Sequence, residues 1–159
     1  MPFYCLVVSV VLLDQLTKSL ILTRLTPGES VPVLEGVFHL TLVQNTGIAF
    51  GFLQRQESLL FVLITFSLLL LIYLAHRIYK RDLKVRLAEG SDSFPRPSPL
   101  IKWGMALILG GAIGNWIDRI RFHAVIDFLD FRVWPVFNLA DSAITIGVCL
   151  YLMLLFRKT

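Results

Sequence analysis

Four long apolar stretches alternate with polar segments along the chain. They cover approximately residues 3–25, 58–76, 100–117 and 138–156. A helix needs about 20 mostly apolar residues to cross the hydrocarbon core of a bilayer, and each stretch is close to that length. The first stretch has no basic segment before it and carries Asp14 and Lys18, so we expect a permanent helix and not a cleaved signal peptide. The pattern predicts four transmembrane helices.

The segments 26–57 and 118–137 between these helices show strand-like patterns. Residues 29–43 alternate as a strand would, with Phe38, Leu40 and Leu42 on one face. Residues 122–133 are also rich in β-branched and aromatic side chains. Residues 48–53 are apolar but too short to span a bilayer, which predicts an interfacial helix. We therefore expect an all-α membrane protein of four transmembrane helices with a small extramembrane β-sheet and an interfacial helix on the outer face.

Composition supports a membrane protein over a soluble one. Hydrophobic residues make up 56% of the 159 residues and charged residues only 16%, against about 25% charged in soluble domains. The mean hydropathy is +0.74. A single domain of this length cannot hide so much apolar surface, which excludes a soluble monomer. Cys5 and Cys149 lie in apolar runs without metal-binding spacing, so they are predicted to be small core residues.

The distribution of basic residues predicts the orientation. The net charge is +4, and nine of the 15 Lys and Arg residues lie between Arg77 and Lys102 or in the C-terminal tail. Because basic residues concentrate on the cytoplasmic side, both termini and the loop 77–99 are predicted to be cytoplasmic, and 26–57 and 118–137 to lie on the outer face. The positive charge is therefore a topology signal and does not indicate nucleic-acid binding. The polar, proline-rich residues 91–99 are predicted to form a flexible linker.

Two features of the helices favour structural roles. Asp14 and Lys18 are four residues apart, with the acid first, which is the favourable order for an ion pair within a helix. Gly110 and Gly114 have the same spacing on the third helix and predict close packing against a neighbouring helix.

The outer end of the third helix carries three polar residues, Asn115, Asp118 and Arg119. Asp118 and Arg119 can form a charged helix end. Asn115 and Arg119 are again four residues apart and can point a pair of donors at a substrate backbone.

The start of the fourth helix suggests both a cap and a catalytic acid. Asn138 is a good N-cap and Asp141 lies three residues later, where an acid is stabilised by the helix dipole. Asp127, flanked by apolar residues, lies on the same outer face. Two nearby carboxylates can divide the roles of acid and base, one keeping a proton while the other activates water. Asp118, Asp127 and Asp130 all remain possible partners of Asp141 from spacing alone.

Other hydrolytic chemistries have little support in the sequence. The chain has no Gly-x-Ser-x-Gly elbow and no His-Glu-x-x-His zinc motif, and its three histidines are scattered. We predict no metal and no cofactor.

Five segments together closely resemble the motifs of the bacterial lipoprotein signal peptidase family, signal peptidase II. In chain order they are 14–18 (DQLTK), 45–50 (NTGIAF), 110–119 (GGAIGNWIDR), 125–128 (VIDF) and 137–144 (FNLADSAI). The resemblance implies an aspartyl endopeptidase of the bacterial inner membrane. It would cleave prolipoproteins just before a cysteine that carries diacylglycerol.

The resemblance also assigns residues. It implies that Asp127 and Asp141 are the catalytic pair, with Asp127 favoured over Asp118 and Asp130 as the partner. Residues implied to line the substrate site are Asn45, Asn115, Arg119 and Asn138. Residues expected to support the site are Asp14, Lys18, Gly47, Gly110, Gly114, Asp118 and Ala140. The outer strands and interfacial helix would correspond to the family's β-cradle and interfacial helix. Diacylglyceryl-prolipoproteins, membrane lipid and globomycin-type inhibitors are the expected partners.

Two other classes of function are compatible with a small membrane protein. A proton- or ion-coupled transporter would use membrane acids as a relay, but here four of the acids gather at one face, with Asp14 deeper. A membrane assembly factor with an outer docking sheet would need no aspartate pair. Its function would survive Asp-to-Asn changes.

Overall fold

The computed structural model describes residues 2–47, 57–87 and 99–156, which form four helices and three strands. In chain order these are α1 (Pro2–Leu22), β1 (Ser30–Leu34), β2 (Phe38–Asn45), α2 (Glu57–Leu87), α3 (Pro99–Phe122), β3 (Val125–Asp130) and α4 (Leu139–Phe156). The interfacial helix predicted at 48–53 lies outside the described residues, as does the predicted linker 91–99 up to its last residue, Pro99, which begins α3. The prediction of four helices with a small β-sheet is therefore confirmed for the described residues.

The four helices correspond to the four apolar stretches, with different ends. Helices α1 and α3 are long and apolar enough to cross a membrane, while α2 and α4 contain shorter apolar segments at Phe61–Arg77 and Leu139–Met153. Helix α2 continues to Leu87, so the first part of the predicted loop 77–99 is helical. This stretch contains no Gly or Pro and is rich in Lys, Arg and Leu, which are good helix formers.

Small residues let α3 approach α1 and α4 closely. A Cβ atom added at Gly110 would lie 2.8 Å from Cβ of Val10 on α1, and one added at Gly104 would lie 2.9 Å from the Gly147 carbonyl oxygen on α4. A Cβ at Gly111 would collide with the carbonyl oxygen of Ala140. Close packing at Gly110 is therefore confirmed, and α3 lies at the centre of the helical bundle.

The outer surface of the bundle is apolar. Leu12, Leu16 and Phe66 are each more than half exposed. Such surfaces on apolar helices suit a lipid environment, where exposed leucines carry no penalty. Cys5 and Cys149 are also exposed, so the prediction that they are core residues was wrong. A lipid-facing side chain has the same apolar neighbours in sequence as a buried one, and the pattern could not separate the two.

The three strands form one antiparallel sheet in the order β1-β2-β3. Residues 29–43, predicted as one strand, form a hairpin instead, because the chain turns at Gly36, whose φ of 72° favours glycine. On β2 and β3, Leu42, Ile126 and Phe128 pack with Ile21 of α1 in a buried cluster. The sheet is thereby fixed on the end of α1.

Candidate active site

The turn after β3 brings Asp127 and the start of α4 together. The backbone N–H groups of Phe128 and Leu129 donate to the Phe137 carbonyl oxygen (2.9 and 2.7 Å), and Phe137 N–H donates back to Leu129 (3.1 Å). This pairing returns the chain alongside β3 immediately before α4. Asn138, the next residue, then donates from Nδ2 to Asp127 Oδ1 at 2.7 Å.

Asn138 also caps α4 together with Asp141. The Asp141 backbone N–H donates to Asn138 Oδ1 (2.9 Å), and the Asn138 backbone N–H donates to Asp141 Oδ2 (3.3 Å). This reciprocal arrangement is a capping box, and it leaves the Asp141 carboxylate partly exposed at the positive end of the helix dipole. The predicted cap is present, and it holds Asp141 close to the residue that binds Asp127.

Asn45 holds the other oxygen of Asp127. At the end of β2 it pairs with Val125, and its Nδ2 reaches diagonally to Asp127 Oδ2 at 2.9 Å. Its own Oδ1 accepts the backbone N–H of Gly47 (2.9 Å), whose φ of 79° permits the tight turn. Gly47 therefore fixes the direction in which Asn45 donates.

Asn115 of α3 binds Asp141 from the opposite side. Its Nδ2 donates to Asp141 Oδ1 at 2.7 Å, while its Oδ1 accepts from Asn138 Nδ2 at 3.1 Å. Asp127 and Asp141, called the aspartate pair below, are thus linked through two asparagines. In the described ranges, the salt bridges of Lys and Arg go to other acids and not to this pair.

The surroundings of Asp127 favour its protonated form. Asp127 is only 2% exposed, and burial raises its pKa to about 6, with the Asn45 hydrogen bond opposing the shift and the nearby charge of Asp141 adding to it. A carboxyl group with this pKa keeps its proton up to about pH 6, where an ordinary aspartate is already ionised. One such group beside an ionised carboxylate can supply both an acid and a base.

A second buried group of charges lies beside the pair and is called the ion cluster below. It consists of Asp14, Lys18 and Asp118. The predicted pair within α1 is confirmed, since Lys18 Nζ lies 2.8 Å from Asp14, and the same ammonium lies 2.7 Å from Asp118 on α3. All three side chains are at most 2% exposed. Gly114 permits this contact, since a Cβ there would lie 2.5 Å from Asp14 Oδ2.

The salt bridge of Asp118 is thus with Lys18 and not with Arg119, its neighbour in the charged helix end that the sequence suggested. Besides Lys18, it accepts from Gln15 Nε2 (2.9 Å) and from the Ile126 backbone N–H (3.1 Å). Neighbouring residues on a helix point about 100° apart, so Arg119 faces elsewhere and donates to the Asn115 carbonyl oxygen at 3.0 Å. Arg119 is partly buried within electrostatic range of Asp141 and Asp127.

The ion cluster also connects the helices that carry the site. Asp14 Oδ1 accepts the backbone N–H of Ala140 at 3.0 Å, which ties α1 to the first turn of α4. Gln15 was not singled out from the sequence, although it belongs to the segment DQLTK. Only the docking of α1 on α3 brings its side chain to Asp118, and its position between Asp14 and Leu16 gives no signal of that.

Asp130 lies in a separate polar group. Its Oδ2 accepts from Thr41 (2.7 Å) and from the Arg132 guanidinium (3.0 Å), and its Oδ1 accepts the Arg132 backbone N–H (2.8 Å). The Thr41 bond is the main cause of a lowered pKa, supported by Arg132. Asp130 is nearly as buried as Asp127, at 5% exposed. Of the three candidate partners, Asp127 is the one whose hydrogen-bonded asparagine, Asn138, also binds Asp141.

No group of three or more His, Cys, Asp or Glu side chains in the described ranges is arranged to hold a metal ion. Every buried side-chain nitrogen or oxygen in these ranges also has a hydrogen-bond partner.

Comparison with known proteins identifies the family. Residues 6–157 match the family described as Signal peptidase (SPase) II. The chain belongs to the signal peptidase II family. Within this family it is similar to the lipoprotein signal peptidase of Halothermothrix orenii, with 43% identity over 98% of this chain and 95% of that protein. It is 45% identical to the lipoprotein signal peptidase of Moorella thermoacetica over 93% of this chain and 88% of that one.

A solved structure described as a bacterial membrane enzyme has the same fold. Its TM-score is 0.78 at 29% sequence identity, and the match covers 99% of this chain and 94% of that chain. This member of the signal peptidase II family is thus an aspartic peptidase and a membrane enzyme. The comparisons give no support to the transporter alternative.

Proposed function

We propose that this peptidase removes signal peptides from diacylglyceryl-modified prolipoproteins, cleaving before the lipidated cysteine, with Asp127 and Asp141 as its catalytic pair. One observation carries the assignment of the pair. Both carboxylates are held by asparagine amides and not by cations, and they share Asn138. Amide donors hold a carboxyl group in place without forcing it to stay ionised, which leaves the pair free to exchange a proton.

The two aspartates take different roles in the proposed reaction. Asp141 lies at a helix N-terminus, which favours its negative charge, and acts as the base. Its oxygen takes a proton from water while the water oxygen bonds to the scissile carbonyl carbon. Asp127 begins protonated, because burial raises its pKa to about 6, and its proton hydrogen-bonds the developing oxyanion. That proton then moves to the leaving nitrogen as the C–N bond breaks.

Both protons are accounted for at the end of this cycle. The pair still holds one proton, now on Asp141, which returns to Asp127 once the products leave.

We propose that Arg119, which uses one N–H on the Asn115 carbonyl, offers others to a substrate carbonyl oxygen. Asn45, Asn115 and Asn138 line the same site and hold the carboxylates at its wall.

The membrane setting is also part of the proposal. All four helices would cross the bacterial inner membrane, with both termini cytoplasmic and the aspartate pair near the outer face. Support comes from the exposed apolar side chains on the helices and from the basic residues within 77–86, which begin at the last residue of the apolar segment of α2 and continue in the last third of that helix. The sheet would form the cradle beside the site, in contact with lipid. Globomycin-type peptides would inhibit the enzyme, and we expect it to need no cofactor and to bind no nucleic acid.

The decisive experiment follows cleavage of a diacylglyceryl-prolipoprotein by purified enzyme in detergent, measured as a gel shift. We expect Asp127→Asn and Asp141→Asn each to lose on the order of 10³-fold or more in rate, as is usual when one member of a catalytic unit is removed. Asp118→Asn is the matched control, because it changes an aspartate that is bound by Lys18 and not by the asparagines. Retained cleavage by Asp141→Asn would exclude the pair. An active Asp127→Asn with an inactive Asp118→Asn would reassign the partner.

A further inference from the structure

The side chain of Asn115 joins the ion cluster to the aspartate pair. Its Oδ1 accepts from Lys18 Nζ at 3.0 Å and from Asn138 Nδ2 at 3.1 Å, and its Nδ2 donates to Asp141 Oδ1 at 2.7 Å. Both Asn115 and Lys18 are buried. The three contacts fill both lone pairs of its oxygen and use one of its two N–H donors.

The neighbours of Asn115 permit only one orientation of its amide. Lys18 carries three donors and no acceptor, so it must face an oxygen. Asn138 also presents its NH₂ group, because its own Oδ1 is occupied by the Asp141 backbone N–H. If the Asn115 amide were reversed, its NH₂ would meet two other donors and its oxygen would meet the Asp141 carboxylate. The observed direction therefore depends on the ammonium of Lys18 and on the cap of α4.

We propose that Lys18 is a positioning residue for peptide cleavage, which acts by turning the Asn115 amide so that its N–H points at the carboxylate that takes the proton from water. This inference rests on the proposed function and adds a residue on α1 to it. Lys18 is bound on either side by Asp14 and Asp118, so with both acids ionised the cluster has a formal charge of −1. Its effect on Asp141 therefore comes through the direction of the Asn115 amide and not from a net positive charge.

A purely structural role for Lys18 makes a different prediction. Buried ion pairs are often replaceable by apolar side chains without loss of stability, so holding α1 against α3 does not by itself require an ammonium. If Lys18 only joined the helices, its removal would change stability while the pH dependence of cleavage stayed the same. If it positions Asn115, its removal changes the rate of the chemical step and that pH dependence. The charged groups within electrostatic range of the pair are Lys18 on α1 and Arg119 on α3, and Arg119 is also within range of Asp118.

The test compares Lys18→Gln/Asp118→Asn with the wild type, and Asp118→Asn alone shows the effect of losing that carboxylate. The double variant keeps the wild-type formal cluster charge of −1, whereas Asp118→Asn alone has a cluster charge of 0, and glutamine can present either an oxygen or an NH₂ group to Asn115. Relative to the wild type, we expect kcat to fall about 10–100-fold, the loss typical of residues that orient a reacting group through another, with KM within about threefold. The acid limb of the pH profile should move to higher pH, because a carboxylate that loses an N–H donor is less stabilised in its ionised form.

A second variant covers the case in which the double variant does not fold. In Asp14→Asn/Lys18→Met/Asp118→Asn the cluster is neutral and has no ammonium to direct Asn115. The same drop in kcat and the same shift of the acid limb are expected, with a thermal unfolding transition that remains cooperative. The inference is overturned if the folded double variant keeps the kcat and acid limb of the wild type, or if the folded triple variant keeps those of Asp118→Asn. Cleavage by Asp141→Asn would instead overturn the proposed function.

Discussion

The ion cluster and the aspartate pair each contain two buried or partly buried carboxyl groups, and they differ in what holds those groups. In the ion cluster an ammonium lies 2.8 and 2.7 Å from Asp14 and Asp118. In the aspartate pair the donors are the side-chain amides of Asn45, Asn115 and Asn138 and one backbone N–H.

This difference supports the proposed division between structural and reactive carboxylates. An ammonium beside a carboxylate favours the ionised form of that carboxylate. An amide donor favours the ionised form much less strongly than a cation does, so burial can dominate, as the raised pKa of Asp127 shows. Residue type and burial alone do not distinguish Asp118 from Asp127. The identity of the donor does.

The largest effect on stability is expected when the cation is removed from the ion cluster. Lys18→Met leaves Asp14 and Asp118 buried without a counter-charge, and we expect the free energy of unfolding to fall by about 3–5 kcal/mol. The measurement is reversible unfolding in mixed micelles. The triple variant Asp14→Asn/Lys18→Met/Asp118→Asn should recover most of this loss. If Lys18→Met were as stable as the wild type, the fold would not depend on the ammonium of Lys18 to balance the two buried carboxylates.

The next largest effect is expected where the backbone makes room for the cluster. In Gly114→Ala the new Cβ would lie 2.5 Å from Asp14 Oδ2, and overpacking of this kind costs about 1–3 kcal/mol. Gly36→Ala is a useful control, because its Cβ meets nothing within 4 Å and only its φ of 72° is unfavourable, at a cost of about 1 kcal/mol. Thermal unfolding of both variants should therefore show the greater loss in Gly114→Ala. An equal loss would mean that Asp14 can move aside.

A smaller effect is expected in the pH dependence of cleavage. Asp127 must begin protonated in the proposed reaction, so kcat/KM should fall as the pH rises through its pKa of about 6. Asn45 donates to Asp127 and favours its ionised form. Asn45→Ala should therefore raise this pKa and move the basic limb to higher pH, whereas Gln44→Ala, an exposed neighbour, should leave the limb in place. A basic limb that moves to lower pH would contradict the role of Asp127 as the proton holder.

The smallest effect is expected at Asp130. Its hydrogen bonds to Thr41 and Arg132 lower its pKa, so any stability it adds is present at neutral pH and is lost as the pH falls through that pKa. Since it contacts neither member of the aspartate pair, Asp130→Asn should cleave within about twofold of the wild-type rate, as expected for an ion pair whose Arg132 side chain is half exposed. A loss as large as that of Asp127→Asn would place Asp130 in the reaction.

Local features of the structure could be predicted from the sequence to a useful degree. The cap formed by Asn138 and Asp141 follows from residue types three positions apart, and the Asp14–Lys18 pair follows from helical spacing. The hairpin turn at Gly36 could not be predicted from alternation alone, because two antiparallel strands continue the same pattern. The exposed position of Cys5 could not be predicted either, because an exposed residue of an apolar helix has the same apolar neighbours in sequence as a buried one.

Contacts between distant segments were harder to predict. The salt bridge from Lys18 to Asp118 depends on how α1 docks against α3, and no local spacing encodes it. A signal for the packing of α3 on α4 was nevertheless present. Gly104 and Gly111 are seven residues apart, as are Ala140 and Gly147, and in the antiparallel arrangement Gly104 meets Gly147 while Gly111 meets Ala140. Matching heptad spacing of small residues on two helices is therefore a usable indicator of close crossing.

The reciprocal cap of α4 has a practical consequence for capturing the enzyme with its substrate. An inactive protein is needed for that purpose, and its binding surface must keep its shape. Asparagine at position 141 retains one side-chain oxygen, which can accept either the Asn138 backbone N–H or the Asn115 amide, whereas alanine would remove both bonds and loosen the first turn of α4. Because Asn138 also holds Asp127, such loosening would spread across the whole cleavage site. Asp141→Asn, and not Asp141→Ala, is accordingly the better substrate trap.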